Sequence, residues 1–223
     1  MMDAKALESL KHCSLWEFSR SRRKLFVLPN GIEAPFDVQL DRVWSMPKTV
    51  QTLSERLAVA ARKARPKHIV GALGAALPWA ALVAQELKLP LIIVDDLGVH
   101  GAFQKYDPVV LIERRMGQSK LLEPLVDAVV SVHLTPAALI TLLDDEEEGS
   151  EAYFHRSRWL KKYRMFSASL FSFTDLIRAA DRLGQLPTEL VSLMTQFLLD
   201  PRGSMNNKLL WMKWSEVIEH HLS

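Results

Sequence analysis

Residues 68–90, HIVGALGAALPWAALVAQELKLP, contain the pattern that decides the fold class of this chain. The first residues, HIVGA, form a short apolar run that ends in a glycine turn, which is typical of a buried strand. Gly71 and Gly74 then lead into an apolar segment with Pro78 near its start, where a helix tolerates proline because its first N–H groups lack intrahelical partners. The stretch therefore predicts a strand, a glycine turn and a helix in succession.

The same alternation continues on both sides of this stretch. Residues 48–64 place apolar side chains along one face of an amphipathic helix. Further short buried strands are predicted at LPLIIV (89–94), DPVVLIE (107–113) and DAVVSVHL (127–134), with a shorter helix at SKLLEPLV (119–126). Buried strands that alternate with helices predict an α/β fold with a mostly parallel central sheet flanked by helices.

The pattern changes near residue 144. The run DDEEEGSE (144–151) is typical of a solvated loop. Helical patterns follow: TDLIRAADRLG has Thr174 as a candidate N-cap and Gly184 as a stop signal, and residues 187–201 and 206–222 are also helical in pattern. In the last of these, apolar and tryptophan side chains form a stripe that we expect to pack on the protein's own core or on a second copy.

Two parts are therefore predicted, an α/β domain with an N-terminal extension over residues 1–150 and a helical segment packed on it over residues 151–223. The chain has 223 residues, 48% of them hydrophobic, and a formal net charge of +2, so it is expected to be globular and not a polycation. Cys13 is the only cysteine, which favours a reducing compartment, and the N-terminus lacks an apolar targeting segment, so we expect a cytoplasmic protein.

Neither a membrane nor a nucleic acid is an expected partner. The apolar stretch 69–84 is shorter than the roughly 20 residues of a spanning helix and is interrupted by glycine and proline. Two basic clusters, 19–24 and 155–164, could contact phosphates, the second with Trp159 and Tyr163 available for stacking. Because 26 acidic residues dilute the positive charge, we treat nucleic-acid binding as a minor alternative.

The order of these parts resembles a type I phosphoribosyltransferase, and in particular the orotate phosphoribosyltransferases, from about residue 24 to about residue 180. The resemblance rests on LFVLPNGIEAPFDVQLD (25–41), on the stretch 68–90, and on LIIVDDLGVHG (91–101), with SLFSFTDLI (169–177) similar to the end of that fold. It implies a type I phosphoribosyltransferase-like fold and a homodimer. In an active member it also implies transfer of a phosphoribosyl group from phosphoribosyl pyrophosphate, bound with Mg²⁺, to a nucleobase-like acceptor.

The residues that shape the scaffold match the family pattern better than those that contact ligand. The matching positions are Phe26, Leu28, Gly31, Pro35, Gly71, Pro78, Ala80, Pro90, His100 and Gly101. Positions where the resemblance implies basic or polar ligand contacts are instead Glu33, Ala34, Asp37, Asp41, Val94, Asp95 and Gly98. An aspartate in place of a lysine or arginine converts attraction for a polyphosphate into repulsion.

The ribose-binding loop of the family should follow the strand PVVLI. Glu113 can stand for the first of its two acidic residues, but Arg114 replaces the second, and the loop is about two residues short. The mobile hood of the family is missing between Gly101 and Pro108. Three parts of the implied site are therefore changed.

A second position for the ribose loop is VDDLGVHG (94–101). Asp95 and Asp96 would hold the ribose hydroxyls while main-chain N–H groups hold the 5′-phosphate. Against this, His100 and its two preceding residues lack the hydroxyl groups of that loop, and the segment that follows is too short for a crossover helix. In the other interpretation, Asp95 and Asp96 simply end a strand at the sheet edge.

The sequence thus predicts a phosphoribosyltransferase-like protein that is non-catalytic and acts as a binding, regulatory or subunit-partner protein, with a divergent active phosphoribosyltransferase as the alternative. Whether it is an enzyme stays open. No histidine or cysteine spacing predicts a metal site, so Mg²⁺ is expected only together with phosphoribosyl pyrophosphate. The candidate ligand-binding residues are Gly71, Ala72, Leu73, Gly74, Asp95, Asp96, His100, Gly101 and Glu113.

Overall fold

A computed structural model describes residues 4–28, 33–116, 119–145 and 151–222. The helices are α1 (Ala4–Ser9), α2 (Pro47–Arg62), α3 (Leu77–Leu87), α4 (Ser119–Ser131), α5 (Glu151–Lys162), α6 (Phe173–Arg182), α7 (Thr188–Leu199), α8 (Pro201–Asn206) and α9 (Lys208–Leu222), with a 3-10 helix over Leu40–Ser45. The strands are β1 (Trp16–Phe18), β2 (Phe26–Val27), β3 (Glu33–Ala34), β4 (Phe36–Val38), β5 (His68–Ala72), β6 (Leu91–Asp95), β7 (Gly98–His100), β8 (Pro108–Arg115), β9 (Thr135–Asp144) and β10 (Phe166–Ser172).

The central sheet has six strands in the order β10-β9-β8-β5-β6-β7. All neighbouring strands are parallel except β7, which pairs antiparallel with β6. Two small antiparallel pairs, β1 with β4 and β2 with β3, lie in the N-terminal segment. The predicted α/β fold with a mostly parallel sheet, flanking helices and a C-terminal helical region is confirmed.

The sheet is covered on both faces because its inner strands are apolar on both faces. In β8, Val110 and Ile112 belong to one core cluster, whereas Val109 and Leu111 belong to the other, as the alternation of side chains along a strand requires. Helices α2, α3, α6, α7 and α9 contribute to the first cluster, and α4 and α5 to the second. The predicted helices over 48–64 and 77–88 are α2 and α3.

The strand predicted over residues 127–134 is wrong. Helix α4 continues to Ser131, and the strand is β9, which begins at Thr135. Leu122, Leu125, Val126 and Val129 are buried at helical spacing on one face of α4, so the apolar run serves a helix and not a strand. A valine-rich segment of this length does not separate the two by composition alone.

The C-terminal region shares its core with the rest of the chain. Trp214 is fully buried and its indole N–H donates to the Ser19 carbonyl at 3.0 Å, so the predicted stripe packs on the protein's own core. Strand β10 lies inside the segment predicted to be helical, yet it pairs with β9. The boundary at residue 150 therefore remains a prediction.

The structure differs from two smaller predictions, one for the start of α6 and one for the acidic run. Helix α6 is capped by Ser172, whose hydroxyl accepts the N–H of Asp175 at 3.0 Å, and not by Thr174. Gly184 follows the helix with φ +65°, as its stop signal predicted. Within the acidic run, Asp145 is buried rather than solvated, and residues 146–150 lie outside the described residues.

The structure places the two aromatic side chains of the basic segment 155–164 in internal contacts. Trp159 is only 4% exposed and packs in the second core cluster, while Tyr163 donates to the carboxylate of Asp127. Trp159, the larger of the two aromatic rings expected to stack on bases, is therefore unavailable. Among the described residues, no helix is both long and apolar enough to cross a lipid bilayer.

Candidate functional site

A cavity of about 290 Å³ opens at the carboxyl end of the central sheet, where β5 and β8 lie side by side. One wall is the loop between β5 and α3, and the other is the end of β8. The lining residues are Ala72, Leu73, Ala75, Ala76, Glu113, Arg114, Arg115 and Leu125. Ligands of open α/β sheets bind outside the carboxyl ends of the strands, so this cavity is the candidate site.

The first wall is the predicted glycine turn. A Cβ at Gly71 would lie 2.5 Å from the Cβ of Ala80, so glycine is required there for the close approach of α3 to β5. Gly74 has φ +125°, a conformation that favours glycine. Leu73 is 65% exposed, and its N–H donates to the Val94 carbonyl at 2.8 Å. The turn thus presents main chain and an apolar side chain to solvent.

The second wall contains the predicted acidic residue. Burial raises the pKa of the Glu113 carboxyl group, against a hydrogen bond that it accepts from the Arg114 N–H at 2.6 Å. A desolvated carboxyl group of this kind is a poor partner for a polyphosphate.

Behind Glu113, a buried arginine joins three segments of the chain. Arg115 donates from Nε to Oδ2 of Asp145 at 2.8 Å and from Nη2 to Oδ1 at 2.9 Å. Its Nη1 donates to Oδ1 of Asp37 at 3.0 Å. Burial works against the charge of the guanidinium, but the two carboxylates more than offset it and raise the pKa of Arg115. The cluster links β8, β9 and β4 at the carboxyl end of the sheet.

Arg114 makes a separate ion pair with the N-terminal segment. Its Nη1 donates to Oδ2 of Asp41, which lies in the 3-10 helix. Nearby, Nη1 of Arg156 donates to both carboxylate oxygens of Asp144 at 2.8 Å. Arg114, Arg115 and Arg156 are therefore each matched by an aspartate of the same chain.

Asp95 lies beside the cavity but takes part in a hairpin. Its Oδ1 accepts the N–H groups of Leu97 at 2.8 Å and Gly98 at 3.1 Å, and it lies 2.8 Å from Nε2 of His100. The hydrogen bond with His100 is the main cause that lowers the pKa of Asp95. These contacts close the tight turn between β6 and β7, where the ribose-loop interpretation would need a helix.

The candidate residues thus fall into two groups. Ala72, Leu73 and Glu113 line the cavity, with Gly71 in β5 and Gly74 in the turn that follows it. The hairpin holds the remaining candidates, and none of them lines the cavity: Asp95, Asp96, His100 and Gly101. Asp96 is exposed at the turn, and Gly101 follows β7 with φ +141°.

Another charged cluster, at the amino end of the sheet, was not predicted. Asp107 is buried and pairs with Nζ of Lys67 at 2.7 Å and with Nε2 of His68 at 2.9 Å. Lys67 and His68 hold the pKa of the Asp107 carboxyl far below its usual range. The sequence contains a signal for this cluster. Lys67 directly precedes β5 and Asp107 directly precedes β8, and these neighbouring parallel strands begin side by side.

The pair Arg115 and Asp145 was also missed. Arg115 ends β8, which was predicted, whereas Asp145 follows β9, which was not, and the carboxyl ends of these adjacent parallel strands lie together. The described residues contain no group of three or more histidine, cysteine, aspartate or glutamate side chains that could hold a metal ion. A Mg²⁺ site formed by Asp95 and Asp96 does not fit, because the Asp95 carboxylate closes the hairpin.

No model of a known protein family matches the sequence, and no curated protein matches it. Solved structures do. The orotate phosphoribosyltransferase of Aeropyrum pernix superposes with a TM-score of 0.63 over 80% of this chain and 99% of its own, at 20% identity. The UMP synthase of Leishmania donovani gives a TM-score of 0.71 at 20% identity over 88% of this chain.

The match with UMP synthase covers only 42% of the longer chain, so this chain spans less than half of that protein. The adenine phosphoribosyltransferase of Leishmania donovani is also similar, with a TM-score of 0.57 at 16% identity over 77% of this chain and 82% of its own. Identities this low establish architecture alone. The parallel sheet, the glycine turn between β5 and α3, and these superpositions together show that the chain has the type I phosphoribosyltransferase fold.

Proposed function

We propose that the protein uses the phosphoribosyltransferase fold without phosphoribosyl transfer and acts as a binding, regulatory or subunit-partner protein. The observation that carries this proposal is that the charge-reversed positions pair with each other. Arg114 stands where the resemblance implies an acidic ribose ligand, and Asp41 stands where it implies an arginine. These two side chains form an ion pair, and Arg114 lines the cavity.

The paired reversal matters more than either change alone. A lone Arg114 would leave a positive charge for an anionic ligand, but its guanidinium is matched by Asp41. The pair is partly exposed, so its own contribution to stability is about 1 kcal/mol or less. The pair affects ligand binding more than stability. Because the Arg114 and Asp41 side chains attract each other, neither charge is left to attract a ligand.

The buried cluster beneath this pair supports the same conclusion. Asp37 stands where the resemblance implies a tyrosine that faces ligand, and it accepts a hydrogen bond from Arg115 instead. Asp145, whose side chain is 1% exposed, holds the other edge of the same guanidinium. Opening this cluster to a polyphosphate would leave a buried charge unpaired, which costs several kcal/mol.

The hairpin argues against the second position for a ribose loop. The carboxylate of Asp95 already accepts two main-chain N–H groups and contacts His100. Only a short connection, residues 101–107, joins the hairpin to β8, in place of the hood that the resemblance implies. A hood would exclude water from the reaction, and a connection this short does not supply one.

The alternative is a divergent active phosphoribosyltransferase that transfers the phosphoribosyl group of phosphoribosyl pyrophosphate, bound with Mg²⁺, to a nucleobase-like acceptor. One observation favours it. The exposed turn around Gly74 leads directly into α3, and a helix N-terminus is a general site for anions. A cytoplasmic location and a homodimer, both expected from the sequence, are compatible with either proposal.

Calorimetric titration with phosphoribosyl pyrophosphate and Mg²⁺ separates the two. We expect no saturable heat from the wild-type protein at millimolar ligand. The matched control is Asp95→Asn with Asp96→Asn, which keeps the size of both side chains. Saturable binding by the wild type that this variant loses would establish the hairpin as a working ribose site and overturn the proposal.

A further inference from the structure

The loops that lead into the parallel strands share an unusual backbone feature. Among the described residues, five residues other than glycine have a positive φ, and each lies two or three residues before a strand of the central sheet. They are Arg65 before β5 (φ +49°), Lys88 before β6 (φ +55°), Tyr106 before β8 (φ +68°), His133 before β9 (φ +62°) and Arg164 before β10 (φ +54°). Because these five strands are parallel, all five residues lie at the amino end of the sheet.

The side chains at these positions replace the glycine that such a backbone favours. Positive φ costs free energy for other residues because their Cβ crowds the backbone. Four of the five loops follow a helix, where the residue with positive φ is most commonly glycine. The chain instead carries basic or aromatic side chains, and all five are exposed. Burial in the protein's own core does not account for them, which points to a ligand outside the chain.

The strand order places the five residues in one row, which we call the amino-end row. Strands β10, β9, β8, β5 and β6 are successive neighbours, so the row runs through Arg164, His133, Tyr106, Arg65 and Lys88 in that order. Neighbouring strands lie about 4.8 Å apart, so the row spans about 19 Å. In its middle, the ring centroids of Tyr106 and His133 lie 6.3 Å apart, and Tyr106 is 73% exposed.

Further positive charge flanks the amino-end row. Exposed basic residues in the same loops or at the adjoining helix ends are Arg62, Lys63, Lys67 and Lys105. Among the described residues, only Lys67 of this set and of the row forms an ion pair with a carboxylate, that of the buried Asp107. Two exposed carboxylates adjoin these loops, Glu86 and Asp127, and the second accepts the Tyr163 hydroxyl. Basic side chains thus outnumber acidic ones at this end of the sheet.

The overall composition conceals this surface because opposite charges lie at opposite ends of the sheet. The chain has 28 basic and 26 acidic residues, but a group of the acidic ones lies at the carboxyl end: Asp37, Asp41, Asp95, Asp96, Glu113, Asp144 and Asp145. Strand β5 alone separates the two ends by roughly 16 Å. That distance exceeds the Debye length of about 8 Å at physiological ionic strength, so these acidic residues do not cancel the positive charge of the amino end.

An open cavity of about 560 Å³ adjoins the row, between the loops that lead into β5, β6 and β8. Pro66, Leu89 and Phe103 contribute apolar surface to its lining, and Lys67 and Gln104 contribute polar groups. Apolar walls with a few hydrogen-bonding groups suit a flat heteroaromatic ring. The amino end therefore combines a row of charges, an exposed aromatic ring and space for a base.

We propose that the amino-end row binds a single-stranded nucleic acid, with Arg65, Lys88 and Arg164 on its phosphates and Tyr106 stacked on a base. Sites of this class combine positive charge along the backbone with exposed aromatic rings. A stacked strand advances about 3.4 Å per nucleotide, so the row accommodates about six nucleotides. A duplex is disfavoured because its bases are already stacked and offer Tyr106 no free face.

Binding at the amino end is separate from the proposed function, because none of these residues lines the cavity at the carboxyl end. Failure of one proposal therefore does not imply failure of the other. Fluorescence anisotropy of the full chain with labelled oligo(U) of about 12 nucleotides tests the row. We expect saturable binding at physiological salt that weakens as salt is raised, since phosphate contacts release counterions.

Glycine variants of the row separate binding from folding. Arg65→Gly with Arg164→Gly removes two charges while glycine accepts the positive φ, so circular dichroism should show an unchanged fold. We expect binding to weaken about tenfold or more, and the slope of log K against log salt to fall by roughly 0.7 for each lost contact. The matched control, Lys208→Ala with Lys213→Ala on α9, removes the same net charge elsewhere and should bind as the wild type does.

The stacking contact has its own pair of variants. Tyr106→Gly keeps the backbone conformation and should weaken binding about tenfold with little change in the salt slope, whereas Tyr106→Phe retains a ring and should bind as the wild type does. Saturable binding of oligo(U) or of oligo(dT) supports the inference, and the ratio of the two affinities distinguishes RNA from DNA.

Three results would overturn the inference. The first is a wild-type protein that binds neither oligonucleotide at physiological salt. The second is a loss of affinity in the α9 control equal to that in the Arg65 and Arg164 variant, because attraction would then follow net charge and not the row. The third is tighter binding of a duplex of the same length, because Tyr106 would then have no role in stacking.

Discussion

Arg115 and Asp145 form a two-point ion pair that joins the ends of β8 and β9. Both side chains are buried, and Asp37 of the N-terminal segment completes the cluster. At the carboxyl end of the sheet, where open α/β sheets bind their ligands, these charges thus pair with each other within the chain. Internal pairing of this kind accounts for how acidic residues can occupy positions where the resemblance implies basic ones.

Removing Arg115 should be strongly destabilising. Arg115→Met removes the guanidinium that pairs with the Asp145 and Asp37 carboxylates, and we expect a loss of about 3–5 kcal/mol in the free energy of unfolding. Urea denaturation measures it. The double variant Arg115→Met with Asp145→Leu removes both charges and should lose less than the single variant, and a larger loss in the double variant would contradict the pairing.

Glu113 should make stability depend on pH. Burial raises its pKa in the folded state, so the carboxyl group is neutral in both states below its ordinary pKa. As pH rises through the ordinary value and then the folded value, the unfolded state releases its proton more readily and stability is lost. Glu113→Gln should therefore be more stable than the wild type at neutral pH and equal to it in acid, as measured by thermal unfolding at both pH values. A variant less stable at neutral pH would contradict the sign.

Gly71 should resist substitution because of Ala80. Gly71→Ala places a methyl group 2.5 Å from the Cβ of Ala80, and overpacking of this kind costs about 1–3 kcal/mol. Adding Ala80→Gly removes the clash and should recover part of the loss, although glycine within α3 itself costs about 1 kcal/mol. Chemical denaturation of the two single variants and the double variant gives the coupling free energy between the two substitutions. That energy would be near zero if residues 71 and 80 were not in contact.

The C-terminal helices should unfold together with the sheet. Trp214→Ala removes a fully buried side chain and its hydrogen bond to Ser19, and we expect a loss of about 3–5 kcal/mol in a single cooperative transition. Leu199→Ala, at a leucine that is 77% exposed, is the control and should change stability by about 0.5 kcal/mol or less. Two separate transitions in the wild type would instead support an independent C-terminal domain.

The sequence predicted the fold correctly wherever a segment was compatible with only one kind of secondary structure. Residues 68–90 predicted β5, the turn and α3, since glycine and proline mark their boundaries. Residues 127–134 failed because valines that suit a strand also stand at helical spacing on the buried face of α4. Strand β9 was missed for a related reason, as Pro136 near its start disguised a strand that accommodates it at a register shift.

The site was predicted less completely than the fold. The turn at Gly71 and Gly74 and the position of Glu113 came from local sequence, but the pairing of Arg114 with Asp41 spans 73 residues. Partners so far apart become visible only when strand order is known. The sequence showed the charge reversals as mismatches with the family pattern. Only the structure showed that the exchanged residues pair with each other.

Exchanging the charges of Asp41 and Arg114 shows whether their pairing is what withholds attraction from an anionic ligand. In Asp41→Arg with Arg114→Asp, the ion pair persists with opposite polarity, so the fold should be kept while the ligand-facing charges return to the pattern that the resemblance implies. We predict that this variant binds Mg²⁺-phosphoribosyl pyrophosphate with a saturable calorimetric signal that the wild-type protein lacks. Binding by the wild type that is as tight as, or tighter than, binding by the variant would contradict the account.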